Sequence, residues 1–432
     1  MKRLERLYLI LLLVIFGGMV LQAPLTVGLS VLFPHFELLI KSWKEMLMGV
    51  AGVLLLVILW QRKQWQVLRT PIILLILAFA GLHLLALMNW QGTRPALAGM
   101  LIDLRYLFYF VLVYVAVVLY PAIRKPFLLV GLIGALVITV FAVLQVTVLP
   151  YDILKYIGYS KETIAPYLTV DQNAAFIRVN STLRGPNPLG AYAGMVLTLL
   201  AAYVVRGHLS KARRPQVIVG VLGAASIVSV WVSYSRSALL GVLIGVLIVL
   251  AFAYGRRVPR KVWLGMGIGL IIAAGSLVAL RNTDFVSNVI FHQNLNGGSS
   301  IDSNQGHISS LQDSVAADLM HPLGVGVGST GSASLLGTSP DIIENQYLFE
   351  GHEAGLLSLV LFVVIYVLVL KGLWQRRSDW LALGLFASGL GLATIGLLLP
   401  VWTDDTVSII WWGLAAIALG WKHGRTKHKK TA

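Results

Sequence analysis

The sequence contains no cysteine and little charge. Because cysteine is absent from all 432 residues, disulfide bonds and thiolate metal sites are excluded, and composition gives no clue to the redox state of the compartment. Only 12% of the residues are charged, against roughly 25% in a typical soluble domain, whereas 57% are hydrophobic. We therefore expect lipid rather than water to surround most of the chain.

The formal net charge of +16 does not indicate a nucleic-acid-binding protein. Lys and Arg occur in short groups between long apolar runs, which is typical of the loops that anchor membrane helices rather than of one basic face. We expect no nucleic-acid partner. The first apolar run follows residues 1–6 and has no small-residue cleavage site, so it predicts a membrane anchor rather than a cleaved signal.

Twelve apolar runs are long enough to cross about 30 Å of hydrocarbon, which takes about 20 helical residues. The predicted spans are 7–24, 43–60, 71–89, 100–120, 127–149, 187–205, 215–233, 236–253, 262–280, 347–370, 380–400 and 405–421. A single helix over 215–253 would be about 58 Å long, nearly twice the bilayer core, so this stretch is divided. The sequence predicts an all-α polytopic membrane protein, with residues 1–432 forming a single integral membrane domain.

The distribution of basic residues predicts the orientation. If the N-terminus is cytoplasmic, the short segments on that side hold 24 of the chain's 34 Lys and Arg residues, as the positive-inside rule requires. The acidic residues show the opposite bias. Both termini are therefore predicted to be cytoplasmic, in the inner (cell) membrane, with the working residues facing outward.

Two predicted extracytoplasmic segments are longer than connectors need to be. They comprise residues 150–186 and residues 281–346, and the second is rich in Gly, Ser, Asn, Asp and Gln. Long loops commonly carry function or are disordered. Apolar residues recur at helical spacing over 307–320, which predicts a short amphipathic helix there.

Three arginines lie at predicted outer surfaces, where the topology rule disfavours positive charge. Arg178 and Arg184 precede the sixth span, and Arg236 lies in the tight turn between the seventh and eighth. A guanidinium presents a planar fork of donors that suits phosphate oxygens, and the turn containing Asn187 would direct free N–H groups of a helix start to the same place. We predict a pyrophosphate site formed by these four residues, with Arg236 also stabilising the leaving group.

Two observations limit this interpretation. Each guanidinium could instead extend to lipid headgroups or pair with a nearby acid such as Asp103 or Asp171. No His or carboxylate spacing typical of a metal site occurs, and adjacent side chains such as Asp404 and Asp405 point about 100° apart on a helix. We expect neither a metal nor a cofactor.

A second group of candidate residues begins with three alternating glycines, Gly324, Gly326 and Gly328. Such spacing permits close backbone approach, but the Lys-Ser/Thr that follows the glycines of a P-loop is missing. Farther on, Glu344 and His352 lie near the outer start of the tenth span. Either could act as the general base for a sugar hydroxyl, and Glu344 could equally cap the helix.

Three blocks of the sequence, taken in order, carry a family resemblance. They are Arg178–Tyr192, then Ser233–Leu240, then Pro322–Gly328 followed by Glu344–Gly355. Over roughly residues 100–420 this ordered set resembles the O-antigen ligase/polymerase-like membrane proteins (Wzy and WaaL-type). The resemblance implies metal-independent glycosyl transfer on the outer face, with a glycan on undecaprenyl pyrophosphate as donor and the arginines holding the pyrophosphate as it leaves.

The resemblance also distinguishes between two reactions. Ligases of this group typically have His before the Asn of the third block, whereas this chain has Glu344. That departure favours a polymerase that joins repeat units over a ligase that moves glycan to another acceptor. A chain-length regulator and a flippase are the implied protein partners.

Two other functional classes stay open, a transporter of envelope precursors with twelve helices and a non-catalytic scaffold. A carrier should show ionisable residues at mid-membrane and an internal repeat. No repeat is evident, and the polar groups lie at outer helix ends, with His83, Asn89 and Asp103 as exceptions.

Replacing Arg236 by Ala should abolish polymer formation while the protein level in the membrane is unchanged. Loss of leaving-group stabilisation costs several kcal/mol at comparable sites. Arg236→Lys should also be a poor enzyme, because an ammonium group lacks the planar fork. Gel analysis of surface polymer beside an immunoblot measures both quantities, and near-normal polymer from the Ala variant would remove Arg236 from the active site.

Overall fold

The computed structural model describes residues 3–164, 169–170, 173–209, 212–255, 259–283, 286–287 and 303–430. Each of the twelve predicted spans is largely helical, although the first and the tenth each cover parts of two helices. Eight helices in the described ranges are long and apolar enough to cross a membrane, and three shorter apolar helices accompany them. The chain is therefore a helical, multi-pass membrane protein, and the count of twelve crossings stays a prediction.

The helices follow the apolar runs closely. In chain order they are α1 (Arg3–Gly18), α2 (Gln22–Leu32), α3 (Glu37–Lys41), α4 (Trp43–Arg62), α5 (Pro71–Ala86), α6 (Thr93–Leu119), α7 (Arg124–Thr147), α8 (Pro186–Val205), α9 (Arg213–Val232), α10 (Arg236–Tyr254), α11 (Arg260–Ala279), α12 (Ser303–Met320), α13 (Gly331–Ser334), α14 (Gln346–Ala354), α15 (Leu356–Gln375), α16 (Trp380–Gly396) and α17 (Asp405–Lys430). The all-α prediction missed one antiparallel pair, β1 (Thr169–Val170) and β2 (Asn173–Ile177), in the first predicted outer loop.

Helices α6 and α17 form the centre of the bundle. Their facing stretches are buried almost without interruption over residues 106–118 and 407–419, as expected for helices that are apolar on every side. Large rings fill the space beside them with neighbouring centroids 5.2–6.3 Å apart, and they include Tyr106, Tyr366, Trp402, Trp411 and Trp412. Aromatic pairs at such distances add to simple burial, so this cluster fixes how the central helices pack.

The alternating glycines belong to a segment, residues 322–330, that we call the glycine loop. Gly324, Gly326 and Gly328 have φ values of +86°, +126° and +86°, which side chains rarely allow. A Cβ atom at Gly326 would lie 2.1 Å from the carbonyl oxygen of Asn89. The connection from α5 to α6 holds the loop there, since Asn89 Nδ2 donates to Gly324 O at 2.9 Å and Gln91 Nε2 donates to Val325 O at 2.7 Å.

The prediction of one continuous tenth span over 347–370 was wrong. The helix breaks at Gly355, where φ is +86° and a Cβ would lie 2.7 Å from the carbonyl carbon of Leu323. The glycine loop therefore fits against the break between α14 and α15. The helix predicted over 307–320 is confirmed as part of α12.

Gly326→Ala should destabilise the protein by about 3 kcal/mol or more, because strain at positive φ adds to the clash with Asn89. Thermal unfolding of the purified protein in detergent measures the loss. Gly220→Ala is the matched control, since a Cβ there meets no atom within 4 Å on a regular helix and alanine favours helix formation. Equal melting temperatures for the two variants would contradict the packing described.

Candidate functional site

A cavity of about 400 Å³, here called the basic pocket, opens at the end of the bundle predicted to face outward, which we term the outer end. Its walls come from α2, α3, the first turn of α4, the first half of α6, and single residues of more distant segments. Its charged lining residues are Glu37, Lys41, Lys44, Glu45, Arg94, Arg105, Arg184 and Asp405. With five cations against three carboxylates, the pocket favours an anionic ligand.

These five cations are exceptions to the positive-inside rule, which most of the chain's Lys and Arg residues follow. Ten of the 34 Lys and Arg residues lie outside the predicted cytoplasmic segments, and five of these ten line this one cavity. Sequence reasoning selected only Arg184 among them and missed the other four, Lys41, Lys44, Arg94 and Arg105. The signal that would have found them is a basic residue at the outer end of a span.

Lys44 and Arg105 are held in a network of ion pairs. The Nζ atom of Lys44, only 2% exposed, lies 3.1 Å from both a Glu45 and an Asp405 carboxylate oxygen. Arg105 Nη1 lies 3.5 Å from Glu45, and Nη2 donates to the carbonyl oxygen of Thr403. Buried charges with several partners are fixed in position, so this network forms a rigid wall of the pocket.

Asp404 lies beside this wall and carries a perturbed carboxyl group. Burial, and then the adjacent Asp405, raise the pKa of Asp404 to about 7. One of its oxygens accepts a hydrogen bond from Val407 N at 2.9 Å, which caps α17. Arg105 and Arg184 oppose the rise in pKa, so an anion bound beside them would favour the protonated carboxyl.

Arg94 and Arg184 differ from Lys44 and Arg105, the two cations held in the ion-pair network. Both are exposed, and neither makes a hydrogen bond or ion pair within the described part of the chain. Their donor groups are therefore available to a ligand. A guanidinium pair of this kind suits phosphate oxygens, which accept two parallel hydrogen bonds from each fork.

One side of the basic pocket is apolar. Leu38, Leu39, Leu97 and Leu101 line it, and each of these side chains is more than 40% exposed. The 3₁₀ turn before α3 adds further exposed rings at Phe33 and Phe36. A pocket with cations inside and an exposed apolar rim matches a ligand with an anionic head and a hydrocarbon tail.

The side chain of Arg178 joins two segments of the chain through hydrogen bonds. Its Nε donates to Ser233 O at 2.9 Å, and its Nη2 donates to Asn187 Oδ1 at 2.7 Å. The buried guanidinium thus ties the start of α8 to the turn before α10. Two of the predicted pyrophosphate ligands, Arg178 and Asn187, are brought together, but neither lines the basic pocket, whereas Arg184 does.

Arg236 is half-buried as the first residue of α10, after the N-cap Ser235. A cation at a helix N-terminus opposes the helix dipole, so helix stability does not explain its position. The backbone nearby is strained, because Ser181 and Tyr234 have φ values of +51° and +48°. Of the two acids suggested as arginine partners, Asp171 lies outside the described residues.

The capping interpretation of Glu344 was wrong. The N-cap of α14 is Asn345, whose Oδ1 accepts hydrogen bonds from Tyr347 N at 2.9 Å and Leu348 N at 3.1 Å. Asn345 is the better cap because its shorter side chain reaches these N–H groups from extended backbone. Glu344 is half-buried just before the helix and does not line the basic pocket.

His352 is buried between two carboxyl groups. Its Nδ1 lies 3.5 Å from Asp318 Oδ1 on α12, and its Nε2 lies 3.8 Å from Asp341 Oδ2. Carboxyl groups on both sides hold the imidazole in one orientation. Like Glu344, His352 lies outside the lining of the basic pocket.

Among the described residues no group of three or more His, Asp or Glu side chains is arranged to hold a metal ion. Comparison with known proteins gives no family: no protein-family model matches the chain, and no curated protein matches it. Any inference about function therefore depends on the geometry of the basic pocket and on the three sequence blocks.

Arg94→Ala and Arg184→Ala should each weaken the binding of inorganic diphosphate by roughly tenfold, since a charge-assisted hydrogen bond to an anion is worth about 1.5 kcal/mol or more. Calorimetry on the purified protein measures the affinity. Lys161→Ala is the matched control, because it removes an exposed outer cation that does not line the pocket. If all three variants bind equally well, the pocket is not the anion site.

Proposed function

We propose that this protein is a membrane glycosyltransferase that polymerises oligosaccharide repeat units carried on undecaprenyl pyrophosphate, at the outer face of the cell membrane. The basic pocket is the observation that carries the proposal. It combines two unpaired guanidinium groups, a fixed wall of buried charges and an exposed apolar rim. The resemblance of the three sequence blocks supplies the reaction class.

In this proposal the pyrophosphate lies in the basic pocket. Arg94 and Arg184 bind its oxygens, while Lys44 and Arg105 supply positive potential from fixed positions. The bond from the anomeric carbon to the pyrophosphate oxygen breaks, and the negative charge that develops there is stabilised by these cations. The acceptor sugar hydroxyl forms the new bond and gives its proton to a general base, for which Glu344 and His352 are the candidates.

The polyprenyl chain would leave the pocket over the apolar rim formed by Leu38, Leu39, Leu97 and Leu101. The lipid could then enter from the bilayer without its tail crossing water. Arg178 and Asn187 support the site by fixing the loop that carries Arg184. Arg236 lies outside the lining of the basic pocket, so its role on the leaving group rests on the resemblance alone. A ligase that transfers glycan to a different acceptor would use the same pocket.

A transporter of envelope precursors is the second candidate, and one observation favours it. His83 and Asp103 lie wholly inside the bundle with Glu350 beside them, and ionisable groups at membrane depth often mark proton or substrate pathways. This cluster is separate from the lining of the basic pocket.

Proteoliposomes loaded with lipid-linked repeat units distinguish the two functions. The polymerase should lengthen the glycan without added nucleotide or metal, and Arg184→Ala should lose most of this activity while Lys161→Ala retains it. Electrophoresis of the released glycan measures chain length. Movement of the glycan across the bilayer with no new glycosidic bonds would refute the enzyme and support the carrier.

A further inference from the structure

The mechanism proposed above leaves one group of buried ionisable side chains unused. His83 on α5, Asp103 on α6, and Glu350 and Glu353 on α14 come together near the glycine loop, each at most 2% exposed. His83 Nε2 lies 3.8 Å from Asp103 Oδ2 and 3.9 Å from Glu350 Oε2. Asp103 also interacts with Glu353. We call these four residues the buried cluster.

Several polar atoms of the buried cluster point at one another without a hydrogen bond. Within the described residues, His83 Nε2 and Oε2 of Glu350 have no partner, and the oxygens of Asp103 meet the carboxyl group of Glu353, with which a hydrogen bond requires a shared proton. The other nitrogen of the imidazole is committed, since Nδ1 donates to the carbonyl oxygen of Phe79 at 3.0 Å. An orphaned buried nitrogen aimed at two carboxyl groups marks a place where a proton is missing or shared.

The number of carboxyl groups in the buried cluster also indicates that at least one of them holds a proton. Three carboxyl groups buried side by side cannot all be ionised, because each pays a desolvation cost and repels the others. Burial, and then Glu353, raise the pKa of Glu350 to about 8, and burial raises the pKa of Glu353 as well. Tyr106 donates to Glu350 at 3.3 Å and Gln346 donates at 2.9 Å, which partly offset the rise.

The cluster is joined directly to the glycine loop. Glu353 accepts hydrogen bonds from Gly328 N at 2.8 Å and Thr330 N at 3.2 Å, and the peptide groups of His352 and Glu353 accept two more from the loop. Only two residues beyond Thr330, Ser332 lines the basic pocket. The state of the buried cluster therefore bears on the position of one pocket wall.

Helix α6 provides a second connection. Residues 98, 101, 102 and 105 of this helix line the basic pocket, whereas Asp103 and Tyr106 face the cluster. Arg105 interacts with Asp103 from the pocket side, and His352 interacts with Glu353 from the other. These two are the remaining charged or titratable groups that act on the cluster from the elements packed around it.

We propose that the buried cluster is a proton-binding centre, which takes up a proton from the water at the outer end and so holds the glycine loop and the adjoining pocket wall in place. Uptake converts a carboxylate and a hydronium ion into a carboxylic acid and water. Loss of that proton leaves adjacent carboxylates charged, and their repulsion loosens the contact of Glu353 with the loop. This inference does not require glycosyl transfer.

The direction in which pH changes the stability follows from the difference in proton binding between the folded and unfolded states. A carboxyl whose pKa is higher in the folded protein than in the unfolded chain makes the folded state bind more protons. Stability should therefore fall as the pH rises from the ordinary carboxyl range towards about 8, where Glu350 titrates. Above that pH the loop should be looser than below it.

A spin label on the loop tests the proposal without any substrate. Because the chain has no cysteine, Leu323→Cys, at a site 83% exposed, gives one labelling position in the full-length protein in lipid nanodiscs. We expect label mobility to increase between pH about 6 and about 9.5 with a midpoint near 8. Glu350→Gln, introduced into the same labelled variant, should remove the transition. Asp313→Asn, which changes an exposed acid on α12, should leave it intact.

Two results would overturn the proposal. Label mobility that is constant over this pH range would show that no proton controls the loop, and a transition that persists in Glu350→Gln would place the proton elsewhere. If Glu350→Gln fails to fold, infrared spectra of the unmodified chain decide instead. They should show a buried carboxylic acid at neutral pH that is lost above the same midpoint, and its absence at neutral pH would also refute the centre.

Discussion

The carboxylate of Glu353 holds together the parts of the molecule on which the candidate site depends. By accepting hydrogen bonds from Gly328 N and Thr330 N, it fixes the glycine loop against α14 with no side chain between the two backbones. The loop in turn contacts the α5–α6 connection through Asn89 and leads into Ser332 of the basic pocket. The contacts of this buried acid thus join α14 to a loop that borders both the α5–α6 connection and the basic pocket, and the close approach of the backbones explains why glycine alternates in this segment.

Much of the fold can be predicted from the sequence because a helix that crosses lipid has few and simple sequence requirements. Hydrocarbon requires about 20 apolar residues with every backbone group satisfied, so apolar run length located the starts of most predicted helices to within a few residues. The break at Gly355 could not be predicted, since a glycine in an apolar run is ordinary in a membrane helix. Its effect arises only when the loop around Leu323 packs against it, and that contact joins segments distant in sequence.

The site was less predictable than the fold, for a related reason. The sequence shows that a cation stands at an outer helix end, but not what its guanidinium meets. Arg178 and Arg184 lie six residues apart in one loop, yet the first donates to Ser233 and Asn187 while the second faces the basic pocket. Lys44 and Arg105 become a fixed wall only through Glu45 and Asp405, which come from opposite ends of the chain. Pairing of this kind is a property of tertiary structure.

The exposed rim beside α3 has a kinetic consequence. Leu38, Leu39 and the rings of Phe33 and Phe36 are exposed beside the mouth of the pocket, and side chains of this kind suit the level where hydrocarbon meets headgroups. A substrate that arrives along this rim diffuses in two dimensions, so its relevant concentration is its mole fraction in one leaflet. Under the proposed function, occupancy of the pocket would then respond to how crowded that leaflet is with carrier lipid and would be insensitive to the volume of the surrounding solution.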